Sequence, residues 1–318
     1  PDALRVLDTE DLHSLRDARH RAFKQGRSVN ECDLKSDLAL REIASIYRCD
    51  ISLIISDYEH ALLQETFDVP EYLLHHCPFM LDLDSDGEQT ANKTFSQRQY
   101  FISIGNFRHE PNWNAVLWLK SEIWPLIRQA LPAAQLHIYG AYPPPKATQL
   151  HKPNQGFHIK GWAEDAKAVM SDARVCLAPL RFGAGIKGKL AEAMLCQTPS
   201  VTTSIGIEGM CGDNHWPGAV ANTAQEIAQH AIALYQDEVT WRGALQNTKQ
   251  VLQRFNKSTL GPELVAHLTE TKRALSAHRL KNFTGSMLQH HHHKSTQYMA
   301  QWIEAKNRPE GGSAHLAK

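Results

Sequence analysis

Apolar residues along this chain fall in short runs separated by stretches with helical spacing, and the alternation covers most of its length. Residues 4–7, Leu-Arg-Val-Leu, predict a strand, and 14–23 a helix. A second helix follows over 34–47, with Leu34, Leu38 and Ile43 along one side. The run 51–55 predicts a buried strand, and 57–67 another helix. Further on, Val116, Leu119, Ile123 and Ile127 keep helical spacing, and 141–155, with three consecutive prolines, predicts a loop. Residues 84–98 are polar, rich in turn formers and without period, which suits a linker. Strands alternating with helices imply an α/β fold with parallel, doubly wound sheets and ligands at the carboxyl ends of the strands.

The segment 174–194 carries the most chemistry. An apolar run ends at Pro179, a glycine-rich loop follows, and Leu190, Ala193 and Met194 then recur at helical spacing. This is strand, glycine loop and helix, with Lys187 and Lys189 at the helix start. Free N–H groups there, the positive end of the helix dipole and two ammonium groups favour an anion such as phosphate. Glu192, just beyond, suits a sugar diol instead. Gly183, Gly185 and Gly188 also satisfy G-x-G-x-x-G, and Gly183 through Lys189 satisfy G-x-x-x-x-G-K. The phosphate-loop reading fails because Leu190 stands where a magnesium-binding hydroxyl is needed. The dinucleotide reading fails because Leu180, Arg181 and Phe182 separate strand from loop, and the next strand, 200–203, ends without a carboxylate. An ordinary βα turn with solvated lysines is the plainer alternative. The segment reads as a nucleotide-sugar site.

Composition narrows the class. The 318 residues carry 34 Lys plus Arg against 34 Asp plus Glu, so no whole-chain charge draws the protein to nucleic acid. Six cysteines show no C-x-x-C spacing and suit reduced thiols in a cytoplasmic protein. No run approaches the ~20 apolar residues of a membrane span. From residue 263 the tail holds eight Lys plus Arg against four Glu, with His290–His293 and a helix expected over 294–306. Packing of that helix on the protein body is favoured over a peripheral contact with the inner face of a membrane. The histidine run lacks metal-site spacing, and no metal or cofactor is expected.

The motif Gly183-Ala-Gly-Ile-Lys-Gly-Lys-Leu-Ala-Glu-Ala-Met194, with 198–203 after it, resembles the donor-site signature of glycosyltransferase family 4, in its bacterial subgroup with G-x-G-x-K-x-K-x-x-E-A-M. Residues 101–108 and Pro111-Asn112 resemble the first strand and glycine loop of that family's donor domain, and 136–140 and 156–162 its next two strands. The resemblance implies a GT-B fold, two Rossmann-like domains facing a cleft. It implies a retaining, metal-independent transfer of a hexose-type sugar from a nucleotide diphosphate to a glycan or lipid-linked acceptor. On that pattern the chain divides into a partial acceptor-side domain (1–83), a linker (84–98), a donor domain (99–262) and the basic tail (263–318). Too few strands precede residue 83 for a complete first domain, so a missing natural N-terminus is expected, with a reduced first domain as the alternative.

The implied roles follow residue by residue. Lys187 and Arg108 would stabilise the departing diphosphate, helped by the amides of Gly105, Gly185 and Ile186, with Gly183 in the same loop. Lys189 would add a phosphate contact or orient Glu192, and Glu192 would accept from the ribose hydroxyls. The family's sugar-contacting histidine falls near Glu10 and Asp11. Most members carry two glutamates eight positions apart, and Ala184 replaces the first. Two other classes remain open. One is an epimerase or hydrolase on the same scaffold, for which His109 or His137 would be the acid or base. The other is a non-catalytic nucleotide-sugar-binding protein.

Overall fold

The computed structural model describes residues 3–83 and 93–307. Two parallel sheets organise them. The first holds β1 (Val6–Asp8), β2 (Ile51–Ile54) and β3 (Leu74–His76) in that order, with Val6 opposite Ile51 and Ser52 opposite Leu74. Helices α1 (His13–Lys24), α2 (Glu31–Leu34) and α3 (Asp37–Arg48) connect β1 to β2, and α4 (Asp57–Phe67) connects β2 to β3. The single helix expected over 34–47 is therefore divided. Asn30 and Asp33 form a capping box for α2, and Ser36 caps α3 by accepting from the Ala39 amide, so Leu34 lies in the preceding turn. Strand β3 went unread because Leu74-His75-His76 has neither β-branched residues nor apolar alternation.

The second sheet holds β4 (Tyr100–Ile104), β5 (Leu136–Tyr139), β6 (Phe157–Gly161), β7 (Ala173–Ala178), β8 (Ser200–Thr202) and β9 (Gly218–Val220), all parallel, in the order β6-β5-β4-β7-β8-β9. Its helices are α5 (Glu110–Trp118), α6 (Trp124–Ala130), α7 (Pro145–Thr148), α8 (Ala166–Asp172), α9 (Gly188–Leu195), α10 (Ser204–Ile207), α11 (Ala224–Gln236), α12 (Glu238–Ala244) and α13 (Thr248–Gln253). The stretch 141–155, expected as loop throughout, contains α7 and a 3-10 turn, Pro153–Gln155. Pro145 and Pro153 stand in the first turns, where a missing N–H costs nothing. Both faces of the sheet are covered. Phe101, Val175 and Leu177 join one buried cluster with α6 and α11, while Ile102 and Cys176 join another with Met170 and Ala193. From β4 the chain winds outward to β5 and β6, and from β7 outward to β8 and β9. The β4/β7 boundary is thus the topological switch point, where such sheets open a crevice.

The tail forms α14 (Lys257–Arg273), α15 (Leu275–Lys281) and α16 (Phe283–Asn307) and returns to the first sheet. Arg279 pairs with Asp50 at 2.8 Å, and Asn282 and Gln289 donate to the carbonyls of Tyr47 and Arg48 at the end of α3, both at 2.8 Å. Beyond that anchor, residues 290–307 are exposed on every side. The helix expected over 294–306 exists, but it does not pack on the protein body: its Tyr298, Met299, Trp302 and Ile303 face solvent. Residues 84–92 of the expected linker, and the tail from Arg308 to Lys318, lie outside the described residues. No helix among the described residues is long and apolar enough to cross a membrane.

Candidate functional site

A cavity of about 740 Å³ opens between the carboxyl ends of the two sheets. Asp8, Glu10 and Asp11 line it from the end of β1, Ile55 from β2, and Cys77, Pro78 and Phe79 from β3. Across from them stand His109, Pro111 and Asn112 after β4, and the loop from Leu180 to Lys189 after β7. The glycine loops at Gly105 and Gly183–Gly188 sit on adjacent strands at the switch point, and they meet. Lys189 Nζ donates to Asn112 Oδ1 at 2.6 Å, and Asn112 Nδ2 donates to the Asn106 carbonyl at 3.1 Å. A Cβ on Gly105 would lie 2.7 Å from Lys189 Nζ, so only glycine leaves room for this contact.

Helix α9 starts without a side-chain cap, as α1 and α5 beside the same cavity also do. Ser36, Ser56, Asp165, Thr203 and Thr223 each cap a helix with a side-chain oxygen, whereas the N-cap of α9 is Lys187, with no side-chain cap bond. Its first turn therefore presents backbone N–H groups and an ammonium together, the arrangement that binds anions. Lys187 is 8% exposed, and its Nζ donates to the carbonyls of Gly185 at 2.5 Å and Ala184 at 3.3 Å. Burial brings its pKa down to about 8, against the opposing pull of Glu208, Glu59 and Asp11. Burial likewise brings Lys189 to about 8, with Lys187 adding to the shift. His109 is pushed down to about 4 by burial and by Arg16, Lys189 and Lys187, which leaves a neutral imidazole beside the cationic wall.

The opposite wall is acidic. Asp11 pairs with Arg16 and with His13, the latter at 3.2 Å, and burial raises its pKa. Glu10 holds a left-handed φ of 58° and keeps its side chain exposed, with its amide donating to Asp8 Oδ1 at 3.1 Å. The two residues named at this end from the sequence thus do face the glycine loop, together with Asp8, His13 and Arg16, which sequence reasoning passed over.

Other placements differ from the expected roles. The Gly105 amide donates to the Tyr139 carbonyl at 3.0 Å, and the Gly185 amide to Glu59 Oε1 at 2.8 Å, so neither is open to a ligand here. The Ile186 amide has no acceptor among the described residues. Arg108 is exposed and lies outside the cavity lining, its guanidinium 3.9 Å above the Tyr142 ring. Glu192 is half-buried on the second turn of α9, also outside that lining, and faces Lys167 and Asp165 beside α8; burial raises its pKa. Ala184 packs into the core of the first domain with Leu12, Leu15 and Ile54. His137 lies outside the cavity lining, stacked 4.0 Å from Tyr100.

Glu59 was hidden by its own sequence signal. Ser56-Asp57-Tyr58-Glu59 has the form of a capping box, which assigns the glutamate to its own helix start. Ser56 does cap α4, but the Glu59 carboxylate turns away to accept from Leu12 and Gly185.

Comparisons with known proteins agree with this architecture. Residues 98–237 match the family model described as glycosyl transferases group 1. Solved structures that share the fold include those of three proteins. Staphylococcus aureus TarM, solved with fondaparinux, alpha-GlcNAc-glycerol and UDP, is 12% identical with a TM-score of 0.61, over 73% of this chain and 46% of that one. Anabaena HepE, solved with UDP and glucose, is 13% identical with a TM-score of 0.60, over 83% of this chain and 71% of that one. Sucrose-phosphate synthase from Thermosynechococcus elongatus is 17% identical with a TM-score of 0.60, over 86% and 68%. This chain spans less than half the length of TarM. No curated protein matches. The fold is GT-B, and the residues that match the group 1 glycosyl transferase model are those that build the second sheet.

Proposed function

We propose that this chain is a glycosyltransferase that takes a hexose-type sugar from a nucleotide diphosphate donor, without a metal ion and with retention of configuration, and passes it to a glycan or lipid-linked acceptor. One observation carries the reading: the uncapped start of α9 sets Lys187, Lys189 and free helix amides into a cavity walled on the far side by carboxylates of the other domain. Breaking the sugar–phosphate bond moves negative charge onto the diphosphate and positive character onto the sugar. The cationic wall matches the first and the acidic wall, Glu10 and Asp11, the second. Lys187 is the principal catalytic group. Lys189, held by Asn112, contacts the second phosphate. Glu192 takes the ribose hydroxyls outside the cavity, beside α8. Arg108 reaches the diphosphate only by leaving the Tyr142 ring. Gly183 and Gly105 allow the ligand a close approach, and the Ile186 amide donates to it.

Titration calorimetry of uridine, guanosine and deoxythymidine diphosphate sugars in EDTA tests this directly. Binding of one of them without divalent ions supports the reading; strict dependence on a divalent ion overturns it. The tail belongs to the same proposal. Tyr298, Met299, Trp302 and Ile303 lie exposed between Lys294 and Lys306 on α16, which supports a peripheral contact with an anionic membrane on the cytoplasmic side. Cosedimentation with phosphatidylglycerol vesicles, lost in Trp302→Ser, tests it.

A further inference from the structure

Three consecutive residues of the glycine loop are held by the other domain. The Gly183 carbonyl accepts from Arg19 Nη1 on α1 at 2.8 Å. The Ala184 methyl is packed into the first domain's core. The Gly185 amide donates to Glu59 Oε1 on α4 at 2.8 Å. These bonds fall where the backbone needs outside support: Gly183 has φ 154° and Gly185 φ 65°, and a Cβ on Gly185 would stand 2.9 Å from that of Asp11. Just before them, Phe182 stacks on His20 of α1 with centroids 4.5 Å apart.

The two gripping side chains are themselves fixed. Glu208, from the donor domain, holds the Arg19 fork with both oxygens, at 2.7 and 2.8 Å, and both side chains are largely buried. Glu59 is fully buried, and its Oε1 also accepts from the Leu12 amide at 3.1 Å. Its Oε2 has no hydrogen-bond partner among the described residues. A buried carboxylate left half unsatisfied is costly as a stabilising device. The other Glu59 oxygen, Oε1, ties one amide of the loop to the Leu12 amide at the start of α1.

Resting on the donor-site reading above, we infer that Arg19 and Glu59 are positioning residues that shape the 183–185 segment from the other domain, so that the donor loop presents Lys187 correctly only when the domains are closed on each other. Neither residue lines the cavity. The Lys187 ammonium is tethered to the carbonyls of Ala184 and Gly185, so turning either peptide re-aims it. Donor affinity is then coupled to domain closure through two hydrogen bonds to the loop backbone.

The test reads the loop itself. Amide hydrogen exchange across 181–189 in the full chain should speed up about tenfold or more in Glu59→Ala and in Arg19→Lys, which keeps the charge but loses the fork. Peptides from β4 and β5 should exchange as in wild type. Glu59→Gln, whose amide oxygen still accepts both N–H groups, should restore slow exchange. With a donor identified, the same variants should lose at least tenfold in affinity for the nucleotide sugar and little for the nucleoside monophosphate. Unchanged exchange over 181–189 in folded Glu59→Ala and Arg19→Lys overturns the inference. If Glu59→Ala does not fold, Arg19→Lys decides it alone. Failure of wild type to bind any nucleotide sugar would instead remove the donor-site reading, and the exchange data would still judge the grip on the loop.

Discussion

Lys189 Nζ and Asn112 Oδ1 are 2.6 Å apart, and that bond joins the first turn of α9 to that of α5 across the switch point of the sheet. It places an ammonium where the two glycine loops converge. Gly105 makes the approach possible, since a Cβ there would displace both partners. Both are ends of flexible side chains, so Gly105→Ala should fold normally while moving Lys189 out of place. Losing one charge-assisted contact of about 1.5–3 kcal/mol should weaken donor binding roughly ten- to a hundredfold. Calorimetry alongside a melting curve checks both halves.

Donor affinity should fall as pH rises through 8. Lys187 and Lys189 both titrate near 8, and a diphosphate needs them charged. Raising pH from 7 to 9 should cost about tenfold in affinity for each lysine that contacts the ligand. The free protein responds in the opposite sense at these groups. An unfolded lysine keeps its proton to about 10.4, so the penalty for burying two ammonium groups shrinks between about pH 8 and that value. In the Lys187→Ala, Lys189→Ala double variant the affinity that remains should not change over this window. A wild-type affinity that is flat from pH 7 to 9 would take both lysines away from the phosphates.

Replacing Glu192 with Ala should lower donor affinity on the order of tenfold to a few hundredfold, from two charge-assisted hydrogen bonds partly recovered by water. Among the described residues no hydrogen bond depends on this half-buried side chain, so the melting temperature should hold. Unfolding in Glu192→Ala would make the residue structural.

The α/β alternation, strands β1, β2, β7 and β8, and the strand–loop–helix at 174–194 were legible because each rests on local periodicity and on glycines that only a turn can use, whereas β4, β5 and β6 came from the family resemblance. Strand β3 and the break between α2 and α3 were not. The first lacks an apolar pattern, and the second depends on capping side chains at Asn30 and Ser36. At the site, the residues of the glycine loop could be named, but not their partners. Arg19, Glu59 and Glu208 act across the domain interface, and no spacing within one element reveals such a contact. Glu59 even carries a local signal that assigns it elsewhere. Arg108 shows the converse: a cation next to a glycine loop satisfied the local pattern, and the Tyr142 ring took it.

The central claim is that Lys187 meets charge that appears as the sugar–phosphate bond breaks, and steady-state kinetics of Lys187→Ala test it most directly. With the donor and acceptor identified, the account predicts a fall in kcat of about 10²–10³-fold, larger than the roughly tenfold rise in KM that follows from losing its ground-state contact with the phosphates. Lys187→Arg should restore little, because a planar guanidinium does not fit where the ammonium is held against two loop carbonyls. Arg108→Ala should cost less than Lys187→Ala. An unchanged kcat in Lys187→Ala, with the protein folded and turning over, would contradict the account.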